Sequence, residues 1–126
     1  MLVDDNDTDN FLSKKIMEHV NFSESILIKN TGKSALEYLH QNQNDLDKIP
    51  DIIFLDINMP IVDGFVFLYE YENFPPQLHE KIKVVVLSSS NNKRDINQFL
   101  NNRFVHQFIS KPLSEKALME LAAAEA

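Results

Sequence analysis

Five short apolar runs, separated by stretches of helical spacing, constrain this chain more than any other feature. The runs are Leu2-Val3, Ser25 to Ile28, Asp51 to Leu55, Lys83 to Leu87 and Phe104 to Ile109. Isoleucine, valine and phenylalanine dominate them, as strands buried on both faces require. Between them, Leu12, Ile16 and Val20 recur at four-residue intervals, with Thr8 as a candidate cap. Ala35, Leu36 and Leu39 form a second stripe after Gly32; Phe65, Leu68 and Tyr71 form a third after Asp63-Gly64. Ile96, Phe99 and Leu100 form a fourth, and Ala117, Leu118 and Leu121 a fifth capped by Ser114. Strands alternating with helices predict an α/β fold whose parallel sheet is covered on both sides. Right-handed crossovers leave few topologies for it. Consecutive prolines at Pro75-Pro76 predict a loop from Asn73 to Lys81.

With 126 residues, the chain has room for one core. Its net charge of -7 argues against direct nucleic-acid binding, because a phosphate backbone repels such a surface. No apolar run approaches the roughly 20 residues that span a bilayer, and no basic start followed by an apolar stretch marks a signal peptide. Cysteine is absent, which excludes disulfides and thiolate metal sites. A cytoplasmic location away from membranes is the expectation.

In an open parallel sheet, ligands bind at the carboxyl ends of the strands. Four of the five runs place polar groups there: Asp4-Asp5, Asp56, Ser88 to Ser90, and Lys111. Carboxylates brought together repel one another unless a cation neutralises them. Hard oxygen donors suit magnesium, which takes one or two carboxylates and keeps several waters. Lysine and a serine hydroxyl can each bind phosphoryl oxygens. Together these are the parts for phosphoryl transfer to an aspartate.

The stretches LVDDN (residues 2–6), FLDINMPIVDG (54–64), VVVLSS (84–89) and FISKPL (108–113) resemble response-regulator receiver domains, in order and at matching spacing along nearly the whole chain. The resemblance implies a flavodoxin-like, doubly wound five-stranded sheet of order 2-1-3-4-5. It implies a phosphoacceptor switch of a two-component phosphorelay that catalyses only its own phosphorylation and dephosphorylation. Asp56 is then the phosphoacceptor. Asp5, Asp56 and the backbone carbonyl of Asn58 hold Mg2+, with Mn2+ as a substitute, and Asp4 acts through water. Ser88 and Lys111 grip the phosphoryl group. Ser88 and Phe108 are switch residues, and Asn58 and Ser90 tune the dephosphorylation rate. The Lys111-Pro112 bond is expected to be cis.

The implied partner is a histidine kinase or a histidine phosphotransfer protein. The output surface combines the fourth and fifth helical stripes with the fifth run, and a phosphorylation-dependent homodimer is one form that output can take. Residues 1–126 are expected to form a single receiver domain, with a first strand so short that it looks truncated.

Taken alone, the same residues have plainer readings. Asp4-Asp5 would be a solvated turn, Ser88 ordinary loop chemistry, and Phe108 a core aromatic. Joint placement favours the functional reading. A phosphohydrolase with an aspartyl-phosphate intermediate would place a second aspartate where Asn58 stands. A binding module that never takes phosphate would not need the acidic pair, Asp56, Ser88 and Lys111 together. Gly32-Lys33-Ser34 fails as a phosphate loop because Leu27 occupies the first glycine position. Asp5, Asp7 and Asp9 fail as a calcium loop because Asn10 and Ile16 replace its glycine and final glutamate. His19, His40, His79 and His106 are scattered and read as surface residues.

Overall fold

The structure is a computed structural model that describes residues 1–23, 25–57, 64–88 and 93–125. Its elements run β1 (Leu2–Val3), α1 (Asp7–His19), β2 (Ile28–Lys29), α2 (Gly32–Gln41), a 3-10 turn at Leu46–Lys48, β3 (Ile52–Asp56), α3 (Gly64–Tyr71), α4 (Pro76–Lys81), β4 (Lys83–Ser88), α5 (Lys93–Leu100), β5 (Val105–Ser110) and α6 (Glu115–Glu125). All strand pairs are parallel, in the order β2-β1-β3-β4-β5. This is the expected fold.

Side chains alternate across the strands, so every buried strand feeds two cores. Val3, Ile53, Leu55, Val84 and Val86 face one side, where Ala35, Leu39, Phe67, Leu68, Tyr71, Leu78 and Phe99 of α2 to α5 cover them. Leu2, Ile52, Phe54, Val85 and Leu87 face the other, against Met17 of α1 and Leu118 and Leu121 of α6. Each such aliphatic or aromatic side chain taken from water contributes about 1.5–3 kcal/mol. All five residues of β3 are buried, which fixes the strand that ends in Asp56.

Several local expectations are corrected. The segment from Asn73 to Lys81 is not wholly a loop. Pro75 caps α4 and Pro76 opens it, a place where proline's missing N–H costs nothing. Asn6, not Thr8, caps α1; its side chain accepts a bond from the Asp9 N–H. β2 covers only Ile28–Lys29 of the second run and its neighbour, because at the sheet edge only that part pairs with β1. The stripe on α3 runs through Phe67, Leu68 and Tyr71, while Phe65 is exposed and stacks on Phe99, centroids 4.0 Å apart. Leu12 and Leu100 are likewise exposed. Ser114 caps α6 as expected, accepting from the Ala117 N–H at 3.1 Å.

Gly64 has a steric role. A Cβ there would sit 3.0 Å from the Cα of Ile57, and the Gly64 N–H donates to the Ile57 carbonyl at 3.3 Å. Ile57 directly follows Asp56, so glycine lets α3 begin hard against the end of β3.

Candidate functional site

Sheet register assembles the site. Val3 pairs with Leu55, and one residue further along each strand stand Asp4 and Asp56. Leu87 is paired with Asp56, and Ser88 follows it. Ser88 is paired with Ser110, and the Lys111 N–H donates to the Ser88 carbonyl at 2.8 Å. The four expected groups therefore meet at one sheet edge, although their positions span most of the chain.

Asp4, Asp56 and Ser88 are buried, and Asp5 is exposed. One carboxylate oxygen from each of Asp4, Asp5 and Asp56 lies within 4.8 Å of the others. Three hard oxygen donors this close fit a small divalent cation better than they fit one another.

The Asp4 segment is held from several directions. Its Oδ1 accepts from the Asn6 N–H at 2.9 Å, and its carbonyl accepts from the Asn10 side chain at 2.8 Å. Asn10 is itself buried. α1 begins immediately after the acidic pair, with Asp7 and Asp9 in its first turn, where the helix dipole favours negative charge.

Lys111 arches back over the sheet edge. Its Nζ lies 2.7 Å from Asp4 Oδ2, 2.9 Å from Asp9 Oδ2 and 3.7 Å from Asp56 Oδ2. Burial pulls the ammonium pKa down, but hydrogen bonds to Asp4 and Asp9 and the charges of Asp56 and Asp4 outweigh it. The net shift is upward, so Lys111 stays a cation. The Lys111-Pro112 bond is cis, as expected.

Phe108 is half-buried on β5, packed against the core on the α2–α5 side. Asn58 and Ser90 lie outside the described residues. Sequence reasoning missed Asp9 and Asn10. Asp9 stood in the rejected calcium pattern; its spacing puts it on the first turn of a helix but gives no hint of a partner 102 residues away. A cleft lined by Leu36, Glu37, His40, Glu70 and Phe74, among others, contains none of the site residues. Among the described residues, no helix is long and apolar enough to cross a membrane.

Residues 1–123 match the family model of the response regulator receiver domain. The probable methanogenesis regulatory protein FilR2 of Methanothrix harundinacea is 31% identical over 114 residues, covering 90% of this chain and 72% of that protein. A two-component response regulator from Cytophaga hutchinsonii superposes with a TM-score of 0.89 at 31% identity, covering 98% of this chain and 92% of that one. The Mn2+-bound form of the response regulator Rcp1 superposes with a TM-score of 0.73 at 27% identity, covering 98% and 87%. With its fold, its strand-end residues and these relatives in agreement, the chain belongs to the response regulator receiver domains, the signalling domains of two-component systems.

Proposed function

We propose that Asp56 accepts a phosphoryl group from a phosphohistidine on a histidine kinase or phosphotransfer protein. The observation that carries this reading is the convergence of Asp4, Asp5, Asp56 and the Lys111 ammonium at one sheet edge. A bond forms between an Asp56 carboxylate oxygen and phosphorus as the bond from phosphorus to the histidine nitrogen breaks. The leaving imidazole takes up a proton.

Asp5 and Asp56, with the Asn58 carbonyl, would hold Mg2+ or Mn2+ directly, and Asp4 would hold it through water. When bound, the cation offsets the charge on the carboxylates and on the phosphoryl oxygens. The Mn2+-bound Rcp1 structure supports a divalent ion in this fold. Lys111 supplies a positive charge beside Asp56, and the Ser88 hydroxyl would donate to a phosphoryl oxygen. The new charge on Asp56 then biases Ser88 and Phe108, and through them α5, β5 and α6, between two arrangements. Ser90 and Asn58 would set how quickly water removes the group.

The test is labelling with a small phosphodonor such as acetyl phosphate, in Mg2+, read by intact mass. One phosphoryl adduct of about 80 Da on Asp56, absent from Asp56→Asn, is the expected result. An adduct that persists in the variant and maps elsewhere would show a different acceptor.

A further inference from the structure

Lys111 has three carboxylate neighbours, and their contacts are unequal. The two short ones are to Asp4 and Asp9; the contact to Asp56 is the longest. An ammonium carries three donors, and in this arrangement two of them are directed toward Asp4 and Asp9. Asp4 belongs to the trio that can take a cation, whereas Asp9 does not. Loading the trio with metal therefore leaves Asp9 as a competitor for the ammonium. The two short partners also differ in what release would cost. The Asp4 side chain is 6% exposed, the Asp9 side chain 37%. Asp9 can exchange the lysine for water; Asp4 would be left buried without its cation.

We propose that Asp9 is a positioning residue acting through Lys111: it holds the ammonium on the α1 side while Asp56 is unmodified, and yields it when a phosphoryl group arrives. Asp9 thus opposes the activated arrangement, setting how tightly the domain grips its phosphoryl group. This rests on Asp56 being the acceptor.

The probe is beryllofluoride, a phosphoryl mimic, titrated by calorimetry in Mg2+ against the full chain and three variants. Asp9→Asn removes the competitor. Asp9→Glu keeps its charge and restores the contact. Asp7→Asn removes an equal charge from the same helical turn, where the carboxylate meets Asn30 rather than Lys111. Asp9→Asn should bind beryllofluoride about threefold tighter than wild type, the scale of one partly exposed ion pair. Asp9→Glu should return toward wild type and Asp7→Asn should change less than half as much. With acetyl phosphate, Asp9→Asn should lower the half-saturating donor concentration more than it changes the maximal rate.

Wild-type protein that does not bind beryllofluoride would overturn the acceptor reading itself. Wild-type binding with Asp9→Asn equal or weaker would overturn only the role of Asp9. Equal tightening in Asp9→Asn and Asp7→Asn would also overturn it, because the cause would then be net charge and not the lysine contact. Thermal midpoints of all four proteins without beryllofluoride separate any loss of fold from these outcomes.

Discussion

The carboxyl edge of the sheet and the aromatic cluster beneath α3 and α4 are both ordered around buried polar groups, yet they are built on opposite terms. At the edge, three carboxylates, those of Asp4, Asp9 and Asp56, share the Lys111 ammonium, and a fourth, Asp5, stays in solvent. In the cluster, Tyr71 is enclosed by Phe67, Phe74, His79 and Phe104, with ring centroids 4.8–6.2 Å from its own. His79 Nε2 closes it further, 2.8 Å from the Tyr71 carbonyl. Excess negative charge at the edge favours a cationic ligand. The cluster is filled by rings and gains chiefly from packing. Binding and stability should therefore separate between the two regions.

The strongest way to break that separation is Phe67→Ala. Phe67 is fully buried in the core shared by β3 and β4. Its loss should destabilise the domain by about 3–5 kcal/mol, the usual cost of removing a buried aromatic ring. Denaturant unfolding measures this, and beryllofluoride affinity of the folded fraction should stay at the wild-type value. A loss below about 1 kcal/mol would contradict the packing account. A parallel loss of affinity would show that the two regions are coupled.

Asp5→Asn tests the reverse case. Asp5 is exposed but crowded by Asp4 and Asp56, so without a divalent ion the loss of its charge should leave stability unchanged or raise it. Divalent-ion affinity should fall by roughly tenfold or more, by calorimetry, since ligand-sphere changes commonly cost that much. Unchanged affinity would remove Asp5 from the cation site.

The two regions were not equally legible in the sequence. The edge could be read because strand ends carry its chemistry: Asp4, Asp56, Ser88 and Lys111 each follow an apolar run whose composition marks a buried strand. What escaped were links that spacing cannot carry. The Lys111 contact to Asp9 joins α1 to the end of β5. Asn10 looks like any polar helix residue until its amide meets the Asp4 carbonyl. The cluster was mostly illegible. α4 has six residues, too few to show a period, and Pro75-Pro76 reads equally as a stop or a start. His79, taken for a surface residue, is half-buried because α4 carries it onto Tyr71 and Phe104. On α3, Phe65 and Phe67 are two residues apart, and only the fold decides which one enters the core.

Tyr71→Phe sharpens the comparison at its smallest effect. The Tyr71 hydroxyl is buried and has no hydrogen-bond partner among the described residues. A buried hydroxyl without a partner is a cost, so its removal at constant ring shape should be neutral or stabilising by up to about 1 kcal/mol. Burial also raises the phenol pKa well above its ordinary value of 10.0. In the unfolded chain Tyr71 ionises near that ordinary value, while in the folded chain it keeps its proton. Above that pH the unfolded state binds fewer protons than the folded state, so stability should decline as pH rises. Below it Tyr71 contributes no slope. Wild type should therefore lose stability between pH 9 and about 11 more steeply than Tyr71→Phe in denaturant unfolding. Identical slopes would mean that the phenol ionises as readily folded as unfolded, and the cluster would then be open to water in a way its ring packing denies.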